Sequence, residues 1–373
     1  MDQLPLVIIV SAATSLLMTL WLVWTAGHHG ALSADHDLSG PQKFHAQPVP
    51  RIGGVSLALA LVVAVGWMHW NGLPEAPSCV ALLLCALPAF GAGLVEDLTK
   101  KVSARARLYA TMVSAALAAW VLGALTSRSG FESLDMLLSF TPVAAVLTLV
   151  VVSGVANSVN IIDGFNGLAS MCVALILGAV AYVAMKVGDT FVLSMALACM
   201  GAIMGFFVFN YPAGLIFLGD GGAYLLGFMT AELALLLVIR NESVSPMFAL
   251  LVCTYPIFET AFSMYRRKVV RKRSSMAPDG IHLHSLIYRR LMRWAAGDRT
   301  PRAMTRRNAM TSPYLWALCS LSVAPAVLFW NDTTMLVLFL ALFCLTYISM
   351  YASIVRFKTP RWLVVRGGRG PER

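Results

Sequence analysis

Long apolar runs, each about 20 residues in length, alternate with short polar segments along most of the chain. A helix needs about 20 apolar residues to cross the hydrocarbon core of a bilayer. The pattern predicts eleven transmembrane helices, at approximately 5–26, 52–70, 79–95, 107–126, 140–158, 167–186, 190–209, 221–239, 246–265, 312–330 and 335–355. We therefore expect an all-α polytopic membrane protein in which residues 1–355 form one transmembrane domain and residues 356–373 form a basic tail.

Charged residues are few and unevenly placed. They make up 12% of the 373 residues, against about 25% in soluble domains. Of the 28 Lys and Arg residues, 25 lie in or beside the loops and the C-terminal tail on one side of the predicted membrane. Cytoplasmic loops are rich in Lys and Arg, so we expect the N-terminus outside and the C-terminus in the cytoplasm. The predicted cytoplasmic loops are 27–51, 96–106, 157–166, 210–220 and 266–311.

This distribution also argues against nucleic acid as the partner for the net charge of +10. The first predicted span has no basic residue before it, so we expect a retained anchor and not a cleaved signal. All seven cysteines lie within predicted spans and no CxxC spacing occurs, which favours small packing residues over metal ligands or disulfides. Glu232 and Glu259 also lie within spans and are predicted to make helix–helix hydrogen bonds.

The segment NSVNIIDGFNGLA brings polar side chains into the end of an apolar run. Asn157, Asn160 and Asp163 are three residues apart, a spacing that places them side by side on a helix, and Asn166 follows. An ionisable group within a membrane costs about 2.5–3.5 kcal/mol on insertion scales, so such groups tend to be functional. We therefore expect these four side chains to line a polar pocket at the membrane border.

Two more acidic sites border predicted spans on the same side. Asp220 lies between glycines in FLGDGG, and Glu96 and Asp97 end the third span in GLVEDL. A tight turn capped by Asp, or a solvated helix end, would explain each site taken alone. However, the loops around Asp163 and Asp220 contain no Lys or Arg, and Mg²⁺ binds one or two carboxylates together with phosphate oxygens. The three acidic sites together predict a centre for a divalent metal and a phosphate ligand.

Basic residues and histidines concentrate in two of the predicted cytoplasmic loops. His282 and His284 lie in the Arg-rich loop at 266–311, and Lys43 lies in the loop at 27–51. These loops could serve only to set topology and to bind anionic lipid headgroups. Arg, Lys and His also donate to phosphate oxygens, and an HxH pair alone is a weak metal signal, so we favour contact with a pyrophosphate ligand.

Taken together, these segments resemble the polyprenyl-phosphate N-acetylhexosamine-1-phosphate transferase family. NSVNIIDGFNGLA resembles the family pattern NxxNxxDGxDGLA, and FLGDGG resembles F-M-G-D-x-G. VEDLTKKVSARARL is similar to the aspartate-pair loop, and APDGIHLHSLI resembles the H-x-H-H loop of the O-antigen-type members. The resemblance runs from about residue 41 to 290 in the order of the family's motifs, and it is the combination that is specific.

The resemblance implies a reaction at the cytoplasmic face of the plasma membrane. A UDP-linked amino sugar gives its sugar 1-phosphate to undecaprenyl phosphate, with Mg²⁺ or Mn²⁺, to yield a polyprenyl-diphosphate sugar and UMP. This is the first step of cell-surface polysaccharide assembly, for example of the O-antigen of lipopolysaccharide, and a homodimer is ordinary for the family. The roles it implies are metal binding for Asp220 and catalysis for Asp97, Glu96 and Asp163, with Asp97 and Glu96 orienting or deprotonating the acceptor phosphate. It also implies nucleotide and sugar binding for Asn157, Asn160, Asp163 and Asn166, and phosphate contact for His282, His284 and Lys43.

Three positions depart from the family patterns. Glu96 stands where the first Asp of the pair is usual, Asn166 replaces the second Asp of DGxDG, and Ser285 replaces the last His of H-x-H-H. These departures leave open an inactive relative that binds lipid-linked sugars, and the acidic Glu232 in a span leaves open a transporter. A direct displacement and a two-step route through an aspartyl phosphate both fit these residues.

Overall fold

The structure, a computed structural model, describes residues 3–33, 48–270, 282–292 and 300–356, and these residues form helices without a β-strand. The helices are α1 Leu4–Trp24, α2 Ala26–Ser33, α3 Gly53–Trp70, α4 Ala76–Thr99, α5 Ala104–Leu122, α6 Glu132–Leu138, α7 Thr141–Ile162, α8 Leu168–Val187, α9 Thr190–Asn210, α10 Gly219–Arg240, α11 Pro246–Val252, α12 Thr254–Tyr265, α13 Leu283–Leu286, α14 Pro301–Leu328 and α15 Thr333–Val355. Short π-helical segments at Arg266–Val270 and Ile287–Leu291 continue α12 and α13.

Nine of the described helices are long and apolar enough to cross a membrane, or ten if α11 and the bent helix after it form one span. The all-α polytopic class is confirmed, whereas the predicted total of eleven spans is not reached. The remaining predicted span, 107–126, corresponds to α5, where Arg105 and Arg107 make the first turn polar. On which side of the membrane each terminus lies stays a prediction.

The span predicted at 246–265 is broken in the structure. α11 and the helix that starts at Thr254 meet at an angle of 68° around Cys253. Pro256 has no N–H to donate to the carbonyl four residues earlier, and this loss of a helical hydrogen bond accounts for a break at this point. The bend places the second half of the span along the cavity described below.

The predicted loop at 266–311 is partly helical, which corrects its assignment as one long connection. α14 begins eleven residues before the predicted span, because Thr300 accepts a hydrogen bond from the Ala303 N–H and Pro301 occupies the first helical turn. Residues 282–292 also form short helical turns that pack on α14 and α15.

α10 lies at the centre of the bundle. Most of its residues are buried, and it packs against α3, α4, α7 and α8. Glycines allow its first turn to approach two neighbours closely, since a Cβ on Gly54 of α3 would lie 2.3 Å from the Gly222 backbone nitrogen. Small residues of this kind let transmembrane helices pack with their backbones in contact. The start of α10 is therefore held between the N-terminal end of α3 and the C-terminal end of α4.

Candidate active site

A cavity of about 940 Å³ lies at the end of the bundle where α7 ends and α10 begins. Its walls come from α5, α7, α10, α11, α12, α14 and the segment 282–292. Seven of the predicted site residues line it: Asn157, Asn160, Asp163, Asn166, Asp220, His282 and His284. Glu96 and Asp97 are not among the described residues that line the cavity. Lys43 lies outside the described residues.

Asp220 lies in the first turn of α10 and is surrounded by basic and amide groups. Gly219, at a φ of 74°, starts the helix in a left-handed conformation that glycine adopts without strain. Asp220 Oδ1 accepts from Arg51 Nη2 at 3.2 Å and from Asn160 Nδ2 at 3.1 Å, while Oδ2 is ion-paired with Arg107. Although the loop around Asp220 contains no Lys or Arg, the carboxylate has two basic partners. Its partners come from distant segments, not from its own loop.

Asp97 supports Asp220 from behind. Its side chain is 1% exposed, and its two oxygens accept from the Asp220 and Gly221 backbone N–H groups at 2.9 and 2.8 Å. The first N–H groups of a helix have no partner within the helix, so Asp97 caps α10 from a different helix. This contact fixes the position of Asp220. The role of Asp97 toward an acceptor phosphate stays a prediction.

Glu96 points to a different place from its neighbour. Its Oε2 accepts from the Val102 N–H at 2.7 Å and closes the turn between α4 and α5, in which Lys100 has a φ of 56°. In this structure Glu96 therefore stabilises a turn. Its predicted part in catalysis stays a prediction.

The polar face of α7 supplies the cavity's amides and a second carboxylate. Asn157 Oδ1 accepts from the Tyr224 hydroxyl at 3.1 Å. Asp163 follows the last turn of α7 and has no hydrogen-bond donor to its carboxylate among the described residues. Burial raises the pKa of Asp163 from 3.8 to about 7, an effect that nearby Arg51 opposes and Asp97 increases. Among the residues that the structure describes, none forms an ion pair with the Asp163 carboxylate.

Asn166 ties the turn after α7 to two other segments. Its backbone N–H donates to Asn308 Oδ1 at 2.8 Å, and its carbonyl accepts from Ser312 Oγ at 2.6 Å. Its side-chain Nδ2 donates to the Pro212 carbonyl at 3.1 Å. Asn166 therefore helps to hold the cavity wall together, and its predicted contact with the nucleotide or sugar stays a prediction.

The two histidines form the opposite wall. Their rings are stacked, with centroids 5.0 Å apart and an interplanar angle of 8°. His284 also meets the edge of Phe165, 5.5 Å between centroids, so the histidine segment packs directly on the turn after Asp163. This contact brings the predicted phosphate-binding and nucleotide-binding residues to one cavity.

The other part of the cavity is apolar. It is lined by side chains of α5, α7, α11 and α12, namely Leu108, Met112, Val150, Val151, Val155, Leu250, Ile257, Ala261 and Met264. Val150 is 54% exposed and Met264 47% exposed. The apolar part therefore opens on the outer flank of helices that are long and apolar enough to span a membrane, beside the polar part.

Two residues at the centre of the site, Arg51 and Arg107, were not selected from the sequence. Arg51 lies in the segment PRIGG before α3, and Arg107 lies in the first turn of α5. Nothing in their local sequence indicates Asp220 as a partner. The pairing depends on α3, α5 and α10 meeting at one end of the bundle.

The chain is similar to several known proteins. The family model described as "Glycosyl transferase family 4" matches residues 79–238. The chain is 26% identical over 288 residues to a Bacillus subtilis protein named "Probable undecaprenyl-phosphate N-acetylglucosaminyl 1-phosphate transferase", covering 76% of this chain and 77% of that protein. It is 30% identical over 258 residues to the undecaprenyl-phosphate alpha-N-acetylglucosaminyl 1-phosphate transferase of Thermotoga maritima, covering 69% and 74%. It is also 30% identical over 197 residues to the phospho-N-acetylmuramoyl-pentapeptide-transferase of Geobacillus kaustophilus, covering 50% and 60%.

Proposed function

The chain belongs to glycosyl transferase family 4, the polyprenyl-phosphate N-acetylhexosamine-1-phosphate transferases, and from this premise we propose its reaction. It transfers an N-acetylhexosamine 1-phosphate from a UDP-sugar to undecaprenyl phosphate. The products are UMP and undecaprenyl-diphosphate sugar, the starting lipid for a cell-surface polysaccharide such as an O-antigen. The Bacillus subtilis and Thermotoga maritima relatives carry names of this reaction with N-acetylglucosamine, which makes that sugar the first to test.

The observation that carries the proposal is the division of one cavity into a polar and an apolar part. A nucleotide sugar offers a diphosphate and many hydrogen-bonding edges, which suit arginine, histidine and asparagine side chains. A polyprenyl phosphate has a long apolar chain and an anionic head, which suit the apolar wall beside that polar end. Both substrates would then meet near Asp220.

The residues present also fit a divalent cation. Mg²⁺ takes one or two carboxylates and completes its coordination with phosphate and water. Asp163 and Asp220 line the same cavity, and burial leaves Asp163 with a pKa of about 7, which a cation beside it would lower. We propose that these two carboxylates hold Mg²⁺ or Mn²⁺. The ion would neutralise charge on the diphosphate when bound.

The side chains of the cavity would do the remaining work by positioning charge. Phosphoryl transfer depends mainly on alignment and on neutralising the phosphoryl oxygens. Arg51 and Arg107, now paired with Asp220, would donate to the diphosphate, and His282 and His284 would donate from the opposite wall. The acceptor is a phosphate monoester with a second pKa of about 6, so it is largely dianionic at neutral pH and needs little help from a base.

Purified protein in nanodiscs with undecaprenyl phosphate and a panel of UDP-sugars tests the proposal. Mass spectrometry should detect an undecaprenyl-diphosphate sugar and UMP, and the product should disappear with a chelator or without the acceptor. The folded Asp220→Asn variant should form little of this product. Absence of product from every UDP-sugar would instead support an inactive relative. Movement of an intact UDP-sugar across the membrane of proteoliposomes would support a transporter.

A further inference from the structure

A buried carboxylate behind the histidine segment has three hydrogen-bond donors. Glu259 of α12 is 0% exposed. Its Oε2 accepts from the Tyr347 hydroxyl at 2.7 Å, and its Oε1 accepts from the Leu283 N–H at 3.0 Å. The same Oε1 lies 3.1 Å from His282 Nδ1, and Ser263 Oγ lies 3.0 Å from that nitrogen.

This arrangement determines which ring nitrogen of His282 carries a proton. An ionised carboxylate can only accept hydrogen bonds, so the nitrogen that faces Glu259 must be Nδ1–H. Nε2 is then the ring atom left to contact a ligand in the cavity, which His282 lines. A hydrogen bond to one imidazole nitrogen sets the tautomer and orientation of the ring in this way.

The same contact orders the second histidine. The His284 ring is stacked on the His282 ring, so a rotation of the first would disturb the second. The Leu283 N–H, between the two histidines, is held by the same carboxylate oxygen. Tyr347 belongs to α15, and Arg290 donates to the Ile354 carbonyl at the end of that helix at 2.7 Å. Glu259 is thus the point at which α12, α15 and the histidine segment are joined.

We propose that Glu259 is a positioning residue for the donor diphosphate: it fixes the Nδ1–H tautomer of His282 and aims Nε2 at the ligand. This inference rests on the proposed function, because the ligand is taken to be the diphosphate of a nucleotide sugar. An anion bound at Nε2 stabilises a proton on that atom and so favours the imidazolium form of the ring. Nε2–H can then donate to a phosphate oxygen while Nδ1–H still donates to Glu259. Glu259 itself contacts no substrate.

Glu232 offers a matched control. It is also a glutamate in a transmembrane helix and 0% exposed, but its carboxylate has no hydrogen-bond partner among the described residues, and it is not among those that line the cavity. Glu259→Gln and Glu232→Gln therefore make the same chemical change at equal burial. Among the described residues, the two sites differ in the contacts of Glu259 with His282, Leu283 and Tyr347, which Glu232 lacks.

The first measurement uses histidine-labelled wild-type protein in nanodiscs and nitrogen-15 NMR, with the His282 signals assigned by His282→Asn. We expect a protonated Nδ1 in the wild type without ligand, and a mixture of tautomers in Glu259→Gln, because a Gln side chain can donate as well as accept. An unprotonated Nδ1 in the wild type would overturn the proposal, and this result does not depend on whether Glu259→Gln folds.

The second measurement is steady-state kinetics with varied UDP-sugar and fixed acceptor. We expect Glu259→Gln to raise the donor KM about tenfold with a smaller effect on kcat, and Glu232→Gln to leave both near wild type. Glu259→Gln in a His282→Asn background should add little further loss. Fully additive losses, or an unchanged donor KM in a folded Glu259→Gln protein, would contradict the inference. If the wild type makes no product, the proposed function fails, but the tautomer measurement still decides the Glu259 contact.

Discussion

One glycine tests how strictly the centre of the site depends on close helix packing. Gly93 of α4 faces the first turn of α10, and a Cβ there would lie 2.6 Å from the carbonyl carbon and oxygen of Asp220 and from the Gly221 nitrogen. Ordinary contact begins at 3.4 Å, so Gly93→Ala must separate the two backbones by about 0.8 Å. The substitution changes no charge and no hydrogen-bonding side chain.

The effect on the site follows from the contacts of Asp97, four residues further along α4. Its carboxylate accepts from the Asp220 and Gly221 N–H groups at 2.9 and 2.8 Å, and an added 0.8 Å would carry both beyond hydrogen-bond distance, to about 3.6–3.7 Å. Overpacking costs about 1–3 kcal/mol. A displacement near 1 Å in a catalytic constellation costs about 100-fold in rate. We therefore expect a clear fall in melting temperature and a loss of about 10- to 100-fold in kcat/KM.

The assay is formation of lipid-diphosphate sugar by Gly93→Ala, together with thermal unfolding in the same detergent. Gly91→Ala is the matched control, because it lies on the same helix and no atom lies within 4 Å of its added Cβ. It should retain wild-type activity and stability. Turnover by Gly93→Ala within twofold of wild type, at an unchanged melting temperature, would refute the argument that this backbone contact positions Asp220.

Four further predictions concern charge, recognition and topology. Burial raises the pKa of Asp163 to about 7, so the metal-free folded protein loses stability as pH rises from about 4 through 7. Asp163→Asn should therefore stabilise that protein more at about pH 8 than at about pH 5. An equal change in melting temperature at both pH values would contradict this. Arg51→Ala should raise the donor KM about tenfold by removing a charged donor, and an unchanged KM in donor-varied kinetics would argue against phosphate contact. Asn166→Ala should raise the donor KM more than it lowers kcat, whereas a loss confined to kcat would oppose a binding role. Gly280→Cys, at a position outside the described residues and in a cysteine-free background, should be labelled only from the cytoplasmic side; strong labelling from outside would reverse the predicted topology.

The helical class followed from the sequence because a bilayer leaves the backbone few alternatives. Backbone groups in lipid must be satisfied within the segment, so a long apolar run forms a helix. The predicted span 140–158 corresponds to α7, which continues to Ile162 because its polar last turn faces the cavity instead of lipid. The break at Cys253 was overlooked, although Pro256 was a local signal for it.

The polar motifs of the site also followed from the sequence. Asn157, Asn160 and Asp163 occur where an apolar run should continue, and Asp220 is flanked by glycines. Such residues are costly near a membrane, so their presence marks a site without knowledge of the fold. The structure brings them to one cavity together with the two histidines.

Only the tertiary structure decided how these groups are paired. Arg51 and Asp220 are 169 residues apart, and Asp97 caps a helix that begins more than 120 residues later. The sequence predicts a helix–helix hydrogen bond for Glu259. In the structure this residue of α12 also contacts His282, which lies in the segment 282–292. A sequence shows which side chains are unusual for a lipid environment. It does not show their partners, because a charged group pairs with whichever group the packing of the helices brings within about 3 Å. In this protein that packing depends on glycine contacts between α3, α4 and α10, whose pairing no local pattern in the chain specifies.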